Sequence, residues 1–394
     1  MKLFKSLLVA PATLGLLAPM AVTANEFNLT DVSGYSSTEE VESISDFDAA
    51  KELAVTNSRV DGLEARFNNF EAGSFSETTT ASFSADFATG YEDGTDAGDS
   101  VGAYYGFQID LNTSFTGEDS FDVSIDAGNS GGQVGEFDLN GAVTDSASNT
   151  TTDVLNVDGV SYTFPVMGAT VFVGDNMDGS TLYNTACVYG GPSNTLDDCG
   201  NGNSAMAGGA GTAAGASYEF SDTGFAIAVG YTGAGSSTSG LMTKESSDVF
   251  GGQVSYTADS YGASITYANI EDYSDDDGRL FYGFNGYWTP DETGLVPSIS
   301  VGYEVGDASG LSDTTQWFVG VQWDEAGPGT FGAAVGNTGA QADTTEDPEL
   351  VMYEAFYSYA INDGMTITPL VYTKETVSGS EDLTGVMVKT SFSF

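Results

Sequence analysis

Nine charged residues recur at alternate positions of extended, polar/apolar segments: Asp86, Asp110, Asp122, Asp126, Glu304 and Glu354, with Arg279, Lys374 and Lys389. In a strand, successive side chains point to opposite faces, so these nine share the polar face of their ribbons. Carboxylate rows facing water attract cations, whereas a filter for anions would cluster Arg or Lys. Covalent chemistry is a poor fit. The chain has 0 His, so Ser-His-Asp and Cys-His arrangements lack their base, and neither an enzyme nor a cofactor is expected. Cys187 and Cys199 lie in a Gly/Asn/Asp-rich loop and read as a disulfide closing that loop. Without histidine a soft metal site is not expected. The run Asp275-Asp276-Asp277-Gly278, with Glu271 and Asp272, offers oxygen ligands for Ca²⁺ but lacks the spacing of a calcium loop. It reads as a solvated acidic tip, as do Asp93, Asp96 and Asp99.

The ribbons that carry these residues dominate the chain. Composition favours strands and turns: 51 Gly, 24 Phe and 20 Tyr in 394 residues. From residue 79 onward the period is two. Val101, Ala103, Tyr105, Phe107, Ile109 and Leu111 alternate with Gln108, Asp110 and Asn112. Further ribbons begin near Phe121, Val166, Thr212, Phe225, Val249, Tyr261, Arg279, Leu295, Thr314, Phe331, Leu350, Met365 and Thr384. The last one sets Val386, Val388, Phe392 and Phe394 on one face and Met387 and Lys389 on the other. Short turns alternate with longer polar connections, which predicts an all-β, antiparallel transmembrane β-barrel of about sixteen strands spanning residues 74–394. Phe394 would then pair back to the first strand, with Phe392 and Phe394 acting as an assembly signal and Lys389 meeting lumenal water. Residues 137–164 are the ambiguous stretch, because an Asp158-Gly159 hairpin could be an extra ribbon rather than wall.

The segments before the barrel have other periods. Residues 1–24 read as a cleaved signal peptide, with Lys2 and Lys5, an apolar middle and a small-residue cleavage site. Residues 25–47 form an acidic leader. Over 48–73, Leu53, Val60 and Phe67 recur at heptad spacing, with Leu63 and Phe70 three residues after the last two. A short parallel coiled coil, trimeric, is the preferred reading. An amphipathic helix lying against or plugging the barrel is the alternative, since Gly62 costs such a helix about 1 kcal/mol relative to Ala.

Several of these stretches resemble one family. Lys51-Glu52-Leu53-Ala54-Val55 and Ser58-Arg59-Val60-Asp61-Gly62-Leu63-Glu64-Ala65-Arg66 are similar to the coiled-coil segment of cyanobacterial outer-membrane porins. These belong with the carbohydrate-selective porins and are often labelled iron-uptake porins. Phe172-Val173-Gly174-Asp175-Asn176-Met177-Asp178 through Cys199 and the VESISDF stretch at 41–47 resemble the same group. The resemblance implies a sixteen-stranded, trimeric diffusion porin. Relatives usually carry an S-layer-homology domain before the coiled coil; here Ser45-Asp46-Phe47 runs almost directly into Ala49-Ala50-Lys51-Glu52, so a cell-wall tether is not carried over.

The resulting expectation is an outer-membrane porin passing small hydrophilic solutes and ions, weakly cation-selective. Its partners would be the outer-membrane lipid bilayer, the barrel-assembly machinery, small solutes and two further copies of itself. A net charge of −48 excludes nucleic acid. Sugar passage is the rival reading, because Tyr104, Phe172, Phe281, Tyr287, Phe318 and Phe356 fall on inward faces and could form a sugar slide or pack against an inward loop. A non-conducting structural or adhesive anchor is the alternative of another class.

Overall fold

A computed structural model describes residues 79–94, 101–129, 133–139, 153–202, 204, 210–235, 240–243, 246–271, 278–291, 294–308, 313–337, 350–376 and 381–394. The signal-peptide, leader and heptad expectations, including Leu53, Val60, Leu63, Phe67 and Phe70, lie outside the described residues.

The strands, in chain order, are β1 (Thr79–Asp93), β2 (Val101–Thr113), β3 (Ser120–Gly128), β4 (Gln133–Val134), β5 (Phe137–Asp138), β6 (Asn156–Val166), β7 (Ala169–Met177), β8 (Gly211–Glu219), β9 (Phe225–Gly233), β10 (Asp248–Thr257), β11 (Tyr261–Ile270), β12 (Arg279–Trp288), β13 (Ser298–Ala308), β14 (Thr314–Ala326), β15 (Gly329–Asn337), β16 (Val351–Asn362), β17 (Met365–Lys374) and β18 (Leu383–Ser393). All but β4 and β5 form one closed antiparallel barrel in sequential order, so the wall has 16 strands. Closure joins β1 to β18, with Phe87 opposite Thr390 and Ala85 opposite Phe392. Past the end of β18, the Phe394 N–H donates to the Phe83 carbonyl at 3.0 Å and the Phe83 N–H donates back at 2.9 Å. Their rings stack with centroids 5.8 Å apart. A sheet closed on itself has no bare edge.

Alternation builds two surfaces. Outward-pointing Phe225, Ile227, Val229, Val254, Ile265, Phe284 and Val301 are exposed apolar side chains. Aromatic pairs cluster near the short-turn end of this outer face, including Tyr162 with Phe164, Tyr218 with Phe220 and Trp323 with Phe331. A second set, Tyr231 with Phe250 and Tyr267 with Tyr282, sits near the other end.

In the ambiguous stretch 137–164 the described strand from Asn156 on is wall, β6; a separate two-stranded hairpin, β4–β5, begins before that stretch at Gln133 and was not expected. The Asp158-Gly159 hairpin is a correction: both residues lie inside β6, where pairing passes from Ser124↔Gly159 to Ile125↔Val157 and leaves Asp158 as a β-bulge. The turn falls instead at Met167-Gly168, both with positive φ (52° and 86°), a two-residue hairpin loop of the type that matches strand twist. Val166 therefore ends a strand rather than starting one.

Candidate functional site

The lumen is shaped by the segment that follows β7. Residues 178–202 leave the rim and run along the inside of the wall, their backbone groups satisfied by lumenal side chains. The Gly179 N–H donates to Thr232 Oγ1 at 2.6 Å, Asn184 N–H to Gln253 Oε1 at 2.6 Å, Ala186 N–H to Ser264 Oγ at 3.1 Å, Val188 N–H to Ser300 Oγ at 3.0 Å and Gly190 N–H to Gln322 Oε1 at 2.9 Å. Buried backbone groups must be paired, and a polar lumen supplies the partners that an apolar core could not. Two wall glycines permit the close approach: a Cβ at Gly230 would collide with the Gly179 carbonyl, and one at Gly302 with the Cys199 carbonyl.

The segment turns at the far wall and returns. The Tyr189 hydroxyl donates to Glu354 Oε1 at 2.5 Å, and its ring lies 5.2 Å from Phe318 and 5.7 Å from Phe356. Phe318, Phe356, Leu196, Leu370, Met352, Tyr372, Met387, Phe137 and Leu139 join it in one buried cluster inside the barrel. On the return, the Ser204 N–H and hydroxyl both donate to Glu304 Oε2 at 2.7 Å, and Asn285 Nδ2 donates to the Cys199 carbonyl at 2.9 Å. The Cys187–Cys199 disulfide is present, with Cα atoms 6.4 Å apart, and ties the outward run to the return.

The nine charged residues of the polar faces therefore divide into groups. Glu304 and Glu354 are buried beneath the inner segment rather than bathed in lumenal water. Lys374 Nζ lies 3.0 Å from Glu136 Oε1 and 2.9 Å from Thr195 Oγ1, joining hairpin, inner segment and wall. Lys389 keeps part of its side chain in contact with water and also finds partners on the wall and hairpin. Its Nζ is 3.9 Å from the buried Asp86 Oδ2, donates to the Asp138 carbonyl at 3.1 Å and sits 5.7 Å from the centre of the Phe137 ring. Burial pushes the Asp138 carboxyl up, and the Lys389 charge pulls it part of the way back. Arg279 is partly exposed at the start of β12, in phase with lumenal Phe281.

Asp110, Asp122 and Asp126 form a separate group on adjacent strands. The hydrogen bonds of the inner segment 178–202 run to the wall from β9 round to β17, on the side away from β2, β3 and β6. The lumenal side chains Gln108, Asp110, Asn112, Asp122, Asn156 and Asp158 there keep contact with open space. Asp110 accepts from Ser124 Oγ and Gln108 Nε2, both at 2.7 Å. Asp122 accepts from Asn112 at 2.5 Å and Ser120 at 2.6 Å. β2, β3 and β6 contain no Lys or Arg, so this open strip is uniformly negative.

Of the six inward aromatics, Phe172, Phe281, Phe318 and Phe356 are buried, while Tyr104 remains exposed. Sequence reasoning missed Asp158, Glu136 and the Tyr189–Glu354 contact. Asp158 was hidden by an Asp-Gly pair that usually marks a turn, and Glu136 by its Gly-rich surroundings.

Comparison with solved structures places this barrel among porins. An anion-selective porin from Comamonas acidovorans superposes with a TM-score of 0.55 at 13% identity, covering 80% of this chain and 99% of that one. The fold is a porin fold. OprB from Pseudomonas putida gives 0.54 at 11% identity, over 81% and 94% of the two chains. A loop L8 deletion mutant of OmpT, an outer membrane protein of Vibrio cholerae, gives 0.55 at 12%, over 80% and 100%. No protein-family model matches the chain, and a search of curated proteins finds no match. At such identities the porin fold is shared while the lumenal residues are free to differ.

Proposed function

We propose that the chain is an outer-membrane porin that lets small hydrophilic solutes and ions diffuse passively, with a preference for cations. The observation that carries this reading is the uneven filling of the lumen. The inner segment packs against β9 to β17, the β4–β5 hairpin lies over the buried Asp86 part of β1, and the strip left open on β2, β3 and β6 carries carboxylates without a cationic side chain. Lys374 and Lys389 are spent on Glu136 and Asp86, so their charge is largely cancelled. In this reading the outer apolar face meets lipid, the aromatic sets mark the two bilayer interfaces, and the short turns face the periplasm. Export by the 1–24 signal, trimerisation through the 53–70 heptads and engagement of the assembly machinery by Phe392 and Phe394 complete the proposal. A cyanobacterial porin of the carbohydrate-selective or iron-uptake type remains the reading of the resemblance. A sugar slide is disfavoured, because Phe318 and Phe356 are covered by Tyr189.

Reconstitution into planar bilayers tests the pore itself. Purified protein should add discrete, ohmic conductance steps in KCl. A folded, heat-modifiable barrel that adds none would favour a closed anchor.

A further inference from the structure

On the outer face, at the end served by the long connections, a carboxylate is buried where the pattern calls for an apolar side chain. Asp248 opens β10 in phase with outward-pointing Phe250, yet it is 0% exposed. Its Oδ1 accepts from the Tyr231 hydroxyl and from the Met242 N–H, the latter at 3.2 Å. Both donors serve one oxygen. Among the described residues, Asp248 Oδ2 is buried without a hydrogen-bond partner, and so is Asn269 Oδ1.

Strand register sets these groups side by side. Phe250 lies opposite Asn269 in the β10–β11 pair, and the Glu271 N–H donates to the Asp248 carbonyl at 2.8 Å, so Glu271 stands opposite Asp248. Opposed residues share a face, and diagonal neighbours lie about 7 Å apart, within reach of one another's side chains. Asp248, Asn269 and Glu271 therefore share one patch of the outer wall. Like charges directly opposed repel, and two acceptor oxygens cannot satisfy each other. A buried carboxylate oxygen without a donor adds its own desolvation cost. One cation among the three side chains removes all of these costs. Gly278 keeps the approach to the amide oxygen open, since a Cβ there would stand 2.8 Å from Asn269 Oδ1, and the exposed Glu271 side chain leaves a way in from solvent. Among the described residues no three His, Cys, Asp or Glu side chains converge on one metal position. The set is instead two carboxylates and one amide oxygen, with water completing it. Such a mixed oxygen shell suits Ca²⁺, which accepts six to eight ligands at about 2.3–2.6 Å in irregular geometry, and not Mg²⁺, which demands a near-ideal octahedron.

We propose that Asp248, Asn269 and Glu271 bind one Ca²⁺ on the outer face of β10 and β11, tying the two strand ends together at the rim. The site lies outside the lumen and stands whether or not the barrel conducts. Removing one carboxylate charge about 4 Å from the ion, under water-like screening, weakens a divalent ion roughly 30-fold.

Calorimetric titration of the refolded full chain with CaCl₂, in detergent and about 0.1 M KCl to screen diffuse binding, reads the site. Wild type should show a saturable Ca²⁺ class that survives an equal concentration of Mg²⁺. Asp248→Asn should weaken that class roughly 30-fold. If Asp248→Asn fails to fold, Glu271→Gln, at an exposed position, should weaken it in the same direction by about tenfold or more. Asp324→Asn, which removes an equal charge from β14, should leave it unchanged. Equal Ca²⁺ affinity in wild type and the folded Asp248 or Glu271 variant would overturn the site. A wild-type titration without a saturable class would overturn it too, leaving water alone to serve the buried oxygens. A fall of the same size in Asp324→Asn would mean diffuse binding and contradict the assignment, as would displacement of Ca²⁺ by an equal concentration of Mg²⁺.

Discussion

Tyr189 is the point at which the inner segment is held to the far wall, and a Phe/Ala pair of substitutions separates its two contributions. Tyr189→Phe keeps the ring between Phe318 and Phe356 but removes the 2.5 Å donor to Glu354. One oxygen of that buried carboxylate already lacks a partner, so losing the Tyr189 hydroxyl leaves the group still less satisfied. A hydrogen bond to a charged group contributes about 1.5–3 kcal/mol, which corresponds to a roughly 10- to 100-fold rise in the population of undocked segment. Tyr189→Ala also removes the ring, adding about 3–5 kcal/mol by analogy with aromatic-to-alanine changes in cores. The wall strands keep their own ladders, so barrel melting should barely move in either variant. Single-channel recording reads the effect: Tyr189→Phe should increase current noise, and Tyr189→Ala should raise mean conductance as well. Wild-type conductance and noise in Tyr189→Ala would refute the idea that this segment sets the constriction.

Other perturbations follow from the same geometry. Reducing the Cys187–Cys199 disulfide releases a loop of 12 residues, about 3 kcal/mol of constraint; pore noise should rise while heat-modifiable mobility stays unchanged, and a collapsed barrel would contradict a purely lumenal role. Deleting Phe394 removes two backbone hydrogen bonds and the ring stacked on Phe83 at the closure seam. Outer-membrane levels should fall sharply, and normal levels would count against that seam as an assembly determinant. Burial pushes Asp198 up to about 6, with the Gly200 N–H and Gln316 pulling it back, and pushes Asp197, still touching lumenal water, up to about 7, aided by the charges of Asp198 and Asp138. Because the docked values exceed the ordinary 3.8, docking is favoured most below that value and loses this contribution as pH rises through 6 to 7. Recordings at pH 5 should be quieter than at pH 8; noisier recordings at pH 5 would contradict the assignment.

Much of the wall was legible because a lumenal barrel strand has one wet and one apolar face. Asp86, Asp110 and Lys389 could be placed on the inner side by parity alone. The Cys187–Cys199 pairing was legible from proximity in a loop. Parity fails where a bulge adds a residue, which is why Asp158 passed for a turn. It is silent about what a long connection does after leaving the wall. Glu354 and Glu304 have the same phase as Asp110, yet Tyr189 and Ser204 cover the first two and nothing described covers the third. That distinction depends on contacts separated by 165 and 100 residues, which no local pattern encodes. The β4–β5 hairpin escaped for a related reason: four paired residues carry too little periodicity to register, and Glu136 finds Lys374 238 residues away.

The central claim is that the open lumen is a cation-preferring diffusion path. The most direct measurement is the zero-current potential across a bilayer holding the full chain, under a tenfold KCl gradient at low salt. A potential of the sign set by potassium, shrinking as salt is raised and screening tightens, is the predicted result. A potential of the sign set by chloride would contradict the account.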